Sequence, residues 1–293
     1  MSLLRSPRVW FLLLVLSVTA VMCLAYVAWQ VGNVLSKPQR RTSIAPPDWP
    51  VTVLSLSTDT GGVVKGWLAV GAPGQGAVLL LHGVHADRLS MLERARSLHR
   101  LGYTVLLLDL PGHGESSGER ITFGLAEGAG VRAAMAYLRS ELPAEKIGVI
   151  GSSLGGAALL LAQLLRPADA AVLEAVFPSI EAAVDNRVRV RIGPLARLAT
   201  PLLLWQLPWR LGIEPAQLRP VDRMARLAAP VLVVGGMLDR HTPPAETRQL
   251  FDAANEPKTL WLVEGAAHED LHAFAPRAYE EKVFGFLARH LRR

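Results

Sequence analysis

The sequence predicts an α/β fold: a mostly parallel sheet flanked by helices, preceded by one apolar segment of membrane-spanning length. Three observations carry this. From Val51 onward, short runs rich in valine and leucine alternate with segments of helical length, a rhythm that implies crossover connections between parallel strands. Several runs, AVLLLH at 77–82 among them, are apolar without alternation, as strands buried on both faces are. Val9–Ala28 holds twenty residues without a charge.

As a helix, that first segment covers roughly 30 Å, the thickness of a hydrocarbon core. Trp10, Tyr26 and Trp29 sit near its ends, where aromatic rings favour the interface. Arg5 and Arg8 precede it, and Lys37, Arg40 and Arg41 follow it, so the charge rule is ambiguous. The reading adopted is a signal anchor: a cytoplasmic tail at 1–8, a transmembrane helix at 9–29, and the rest outside the cytoplasm. A signal peptide cleaved after Ala25 competes with it, although the run is long and Cys23-Leu24-Ala25 is a poor cleavage site. A buried core helix is the third reading. Residues 30–50, with four prolines between Ser36 and Pro50, read as an extended linker.

The soluble domain spans 51–293. VTVLSLS (51–57) and GVVKGWLAV (62–70) form a predicted hairpin around Thr58–Gly61. AVLLLH (77–82) and YTVLLLD (103–109) are buried strands, with an amphipathic helix over 88–101 between them and Gly102 stopping it. A helix over 123–138, a strand at KIGVIG (146–151) and a helix over 153–165 follow. AAVLEA (170–175), PVLVVGG (230–236) and KTLWLVEG (258–265) complete the strands, and helices cover 246–254 and 276–291. The insertion 178–229 contains no strand; it holds Trp205, Trp209 and many leucines and reads as helices over the carboxyl edge of the sheet.

Composition narrows the function. The net charge is +6, but no basic run interleaves with aromatics, so a nucleic-acid surface is disfavoured. The basic residues near the apolar N-terminus suit anionic headgroups instead. Cys23 is the single cysteine, which excludes an intrachain disulfide and a cysteine-based zinc site.

The chemistry is carried by GSSLG, 151–155, at the end of a buried strand, where an open parallel sheet binds its ligands. So sharp a strand-to-helix turn strains its central residue and needs small flanking residues, here Gly151 and Gly155. The Gly-x-Ser-x-Gly register makes Ser153, not Ser152, the candidate nucleophile. A serine needs a base, and the base an orienting acid. Asp239, after PVLVVGG, and His268, after KTLWLVEG, lie in loops at later strand ends. His268 is then the proton carrier and Asp239 its orienting acid. The oxyanion donors are the backbone N–H groups of Leu154 and Val84, the latter in the HGVHADR loop.

These motifs resemble the α/β-hydrolases of the serine-aminopeptidase-like and monoacylglycerol-lipase-like group. The matching stretches are LLLHG (79–83), DLPGHGES (109–116), GSSLGG (151–156), GMLDRHTPP (236–244) and GAAHEDL (265–271). The resemblance covers the chain from Val51 to its end. It implies the α/β-hydrolase fold, with an eight-stranded sheet and a helical cap after the sixth strand, which the insertion at 178–229 fits. It implies no metal and no organic cofactor. One departure is the oxyanion loop, which carries Val84-His85 where many relatives have Asn-Ala or Gly-Gly.

Around the triad, His82 and Gly83 are read as shaping the oxyanion loop and His85 as lining the pocket. Asp109, His113 and Glu115 form a second acid/base cluster but are read as structural. Glu174 is read as a hydrogen-bonding support, and His241 as solvent-facing. The expectation is a membrane-tethered serine hydrolase that cleaves lipid-like or small acyl esters. A peptidase or thioesterase on the same triad is the alternative. A binding protein that keeps the fold is the alternative of another class, which would have no chemical need of a complete triad.

Overall fold

The computed structural model describes residues 7–292; most of the stretch read as a cytoplasmic tail lies outside them. Eight strands form one sheet: β1 Thr52–Ser57, β2 Val63–Ala69, β3 Ala77–Leu81, β4 Thr104–Leu108, β5 Ile147–Ser152, β6 Ala170–Glu174, β7 Val231–Gly236 and β8 Lys258–Val263. Their order across the sheet is β8-β7-β6-β5-β3-β4-β2-β1. Only β2 runs against its neighbours, pairing antiparallel with β1 and β4; the other pairs are parallel.

The unalternating strands are buried on both faces because successive side chains leave a strand in opposite directions. Leu79, Leu81 and Val149 enter one core, with Met135, Leu138, Ala157 and Leu250 from helices on that side. Val78, Leu80 and Ile150 enter the other, against Leu98, Leu287 and Leu291. All five residues of β3, β4 and β6 are buried, which places the candidate site on the rim of a rigid platform.

Helix α1 runs Pro7–Leu35, and none of its described side chains is buried against the rest of the chain. The flanking helices are α2 Leu92–Arg100, α3 Glu127–Glu141 and α4 Leu154–Leu161. The insertion between β6 and β7 folds as α5 Ile180–Ile192, α6 Ala196–Trp205 and α7 Leu207–Leu211, followed by short 3₁₀ turns. Helix α8, Pro244–Ala253, links β7 to β8. The closing helix predicted over 276–291 is continuous, with a π-turn at Glu280–Phe284 between Pro276–Tyr279 and Gly285–Leu291, and a short separate helix, Leu271–Phe274, precedes it.

The stretch 30–50, read as an extended linker, is held to the domain at several points. Helix α1 continues to Leu35, and the buried Ser36 donates its hydroxyl to Gly32 O at 2.8 Å. Gln39–Arg40 then pairs in parallel with His113–Gly114. Trp49 is buried, and its Nε1 donates to His99 Nδ1 at 3.0 Å. Prolines removed the apolar periodicity from which sequence reasoning detects such docking, but main-chain pairing and one buried indole need no periodicity.

Candidate active site

Ser153 sits between β5 and α4 at φ 47° and ψ −108°, in a region that costs a non-glycine residue about 1–3 kcal/mol. Close packing enforces it. A Cβ on Gly155 would meet Leu81 O at 2.4 Å, and one on Gly151 would meet Gly156 N at 2.6 Å. Helix and strand therefore approach to a distance that only glycine permits, and the chain between them must turn sharply. Gly156, which the motif reading passed over, is equally constrained: its Cβ would lie 2.3 Å from Val176 Cγ2.

Main-chain hydrogen bonds tie this turn to the acid loop. Ser153 N donates to Glu174 O at 2.7 Å, and Ala175 N to Val234 O at 2.8 Å. Thr242 Oγ1 donates to Ala175 O at 3.2 Å. Buried Asp239 receives N–H bonds at Oδ1 from His241 at 2.7 Å and Thr242 at 2.8 Å. Its other oxygen, Oδ2, lies 2.7 Å from His268 Nδ1. With Nδ1 so engaged, Nε2 is the nitrogen left for proton transfer. The Ser153 hydroxyl is buried and has no hydrogen-bond partner among the described residues. The structure thus brings Asp239 and His268 together, while the Ser153–His268 hydrogen bond is not formed in it. Such bonds commonly tighten only when substrate arrives.

The oxyanion loop abuts the serine: a Cβ on Gly83 would stand 3.8 Å from Ser153 Cβ. Leu154 opens α4, so its N–H has no partner within the helix. In the facing loop, His85 N donates to His113 Nε2 at 3.3 Å and Ala86 N to Gly83 O at 3.4 Å. The N–H of Val84 has no such bond among the described residues. His85 adopts φ 59° and keeps Nε2 buried without a hydrogen-bond partner.

His82 holds this loop. Its Nδ1 lies 2.7 Å from Gly83 O, and its Nε2 accepts from Leu110 N at 3.1 Å. Those roles require the neutral Nδ1–H tautomer, and burial lowers its pKa to about 4. His113 has the same pattern, Nδ1 facing Pro111 O at 3.1 Å and Nε2 accepting from His85 N. Burial, with the His82 ring beside it, lowers its pKa to about 4 as well. Asp109 accepts from Arg88 N at 2.8 Å and Glu115 N at 2.9 Å, and pairs with the Arg88 guanidinium at 3.1 Å. Arg88 also pairs with Glu115. These contacts join the loops after β3 and β4.

Two sets of contacts lie beyond what the sequence shows: the partners of Glu174, which acts as the hydrogen-bonding support expected of it, and those of the cap. Tyr279 donates its hydroxyl to the Glu174 carboxylate, which also faces Arg94 at 3.1 Å, and Arg94 bonds Asp270 at 2.6 Å. This buried network supports the strand end whose carbonyl receives Ser153 N. In the cap, Asn186 donates to His241 O at 3.3 Å and Glu246 Oε1 at 2.6 Å, which docks α5 on the acid loop. Their side chains lie far apart in sequence and form no motif. His241 is a correction: it is half-buried rather than solvent-facing. Its ring stands edge-on to His268 at 5.5 Å with Nδ1 buried, because α5 covers it. Burial, then the nearby Arg187 guanidinium and His268, lower its pKa.

Comparison with known proteins agrees with this architecture. Residues 72–217 match the family described as serine aminopeptidase, S33. The Mycobacterium tuberculosis protein Rv2307c is 32% identical over 281 residues, covering 91% of this chain and 93% of its own. The Bacillus subtilis protein YqkD is 23% identical over 240 residues, covering 80% and 79%. Among solved structures, the Pyrococcus furiosus esterase Pf2001 superposes with a TM-score of 0.73 at 19% identity, over 88% of this chain and 98% of that one. An esterase from Exiguobacterium antarcticum gives 0.60 at 13% identity, over 80% and 99%. The sheet order, the strained serine turn and these matches lead to one conclusion: the chain belongs to the α/β-hydrolases, in their serine-aminopeptidase-like group.

Proposed function

We propose that this hydrolase is a membrane-tethered serine esterase, with Ser153 as nucleophile, His268 as base and Asp239 as the orienting acid. The observation that carries the reading is the Asp239–His268 hydrogen bond of 2.7 Å, with the Asp239 loop tied through Ala175 and Glu174 to the strained Ser153 turn. His268 Nε2 takes the Ser153 proton as Oγ attacks the ester carbonyl. The N–H groups of Leu154 and Val84 receive the oxyanion; one such donor is worth about a hundredfold to a thousandfold in rate. His268 returns the proton to the departing alcohol and then activates the water that hydrolyses the acyl-enzyme. His82, Gly83 and His85 shape the oxyanion loop, and Gly151 and Gly155 hold the turn. No metal or cofactor enters these steps.

An ester as substrate is supported by the esterases among the structural neighbours. The family description favours a second reading, an aminopeptidase on the same residues. Helix α1 supplies the tether, with the cytoplasmic side at residues 1–8, a span at 9–29 and the hydrolase domain, 51–293, outside the cytoplasm. The test is turnover of p-nitrophenyl esters of increasing chain length beside aminoacyl anilides. Ester hydrolysis lost in Ser153→Ala supports the reading; cleavage of anilides alone replaces it with the peptidase.

A further inference from the structure

Helices α6 and α7 have two apolar faces, and the fold uses only one. Ala196, Thr200, Leu203 and Leu207 are buried. Leu195, which ends the 3₁₀ turn leading into α6, and Leu198, Leu202, Trp205 and Trp209 are spaced by three, four, three and four residues, which aligns them in one stripe. They are 61%, 65%, 41%, 66% and 74% exposed. Packing of the cap onto the domain therefore leaves this stripe exposed among the described residues.

The stripe is fastened to the end of α1. Gln206 Nε2 donates to Ala28 O at 3.0 Å, and Arg210 Nη2 donates to Trp29 O at 2.6 Å. Arg210 also bonds Asn33 and lies 4.1 Å above the Trp29 ring. Gly32 leaves room for the Gln206 amide, which a Cβ would meet at 2.2 Å. Twenty residues at about 1.5 Å each cross a hydrocarbon core of about 30 Å. If Val9–Ala28 spans it, Ala28, Trp29 and Asn33 lie where α1 leaves the bilayer, and the clasp holds α6 and α7 at that level.

We propose that the cap is a second membrane contact, with the Leu195–Trp209 stripe lying in the interface of the leaflet from which α1 emerges. The inference rests on the tether reading of α1. The occupant is lipid because the clasp fixes the stripe at the level of the bilayer surface. Its composition suits that place: leucines reach into the acyl boundary, while tryptophans favour the headgroup level.

The test uses the full chain in phosphatidylethanolamine/phosphatidylglycerol vesicles, with an environment-sensitive fluorophore on single cysteines. Cys23 reports on the anchor. In a Cys23→Ser background, Leu198→Cys and Leu202→Cys report on the stripe, and Leu165→Cys, on a fully exposed residue in the loop after α4, serves as the aqueous control. The expected result is strong quenching at 198 and 202 by a shallow spin-labelled lipid, with at least fivefold less quenching by aqueous iodide than at 165. Iodide quenching equal to that at 165 overturns the proposal, as does shielding from both quenchers, which marks a covering protein or second copy. Those results leave the tether intact if Cys23 is quenched by lipid. A Cys23 label that lipid does not quench removes the tether, and this proposal with it.

Discussion

His268 Nδ1 stands 2.7 Å from Asp239 Oδ2, while Asp239 Oδ1 is held by the N–H groups of His241 and Thr242. The two oxygens therefore have different tasks. Oδ1 fixes the carboxylate to its own loop, and Oδ2 selects the imidazole tautomer. In Asp239→Asn, the two N–H donors keep the amide oxygen at the Oδ1 position and turn the NH₂ towards His268. That favours the tautomer with hydrogen on Nε2, which cannot accept the serine proton. The expected loss in kcat is about 10³- to 10⁴-fold with KM little changed, read by ester kinetics. A loss under tenfold would contradict the role given to Asp239.

Ser152 and Ser153 separate in the same assay. Ser152 ends β5, outside the strained turn. Ser152→Ala should keep kcat within about threefold, since its hydroxyl has no part in the proposed steps. Gly155→Ala should instead lower stability by about 1–3 kcal/mol through overpacking against Leu81 O, seen as a lower urea midpoint.

The pH dependence of stability tests the histidine pair. A pKa of about 4 in the folded state against 6.5 unfolded means that the unfolded chain binds more protons between those values. Stability is then fully present above pH 6.5 and falls as pH drops towards 4, by at most about 1.4 kcal/mol per pH unit for each histidine. Asp109 acts in the opposite sense, because burial raises it to about 6: its contribution is present at low pH and is lost as pH rises through 6. Comparison with His113→Gln isolates the imidazole. The variant should show a shallower decline in thermal midpoint between pH 6.5 and 4.5, and an unchanged slope would show that His113 is not held neutral.

The Glu174 network is a matter of stability rather than chemistry. Tyr279→Phe leaves a buried carboxylate short of one donor, at a cost of about 1–3 kcal/mol. The thermal midpoint should fall while kcat stays within about threefold. A large kcat loss at unchanged stability would place Tyr279 in the reaction instead.

What could be read from the sequence follows from how local each signal is. The unbroken apolar runs of β3, β4 and β6 announce a sheet buried on both faces, and GSSLG announces the strained turn, because both depend on neighbours in the chain. The Arg94–Glu174–Tyr279 network and the clasp of Gln206 and Arg210 on α1 join residues far apart in the chain, and no spacing announces them. The docking of 39–40 on 113–114 is carried by main-chain atoms, to which side-chain patterns are blind. The burial of His241 has no local signal because the helix that covers it, α5, arrives from another part of the chain.

The most direct measurement is the site of covalent labelling by a fluorophosphonate, mapped by mass spectrometry on the full chain. The account predicts one modified residue, Ser153, with labelling abolished in Ser153→Ala and preserved in Ser152→Ala. Modification elsewhere, or undiminished labelling of Ser153→Ala, would contradict it.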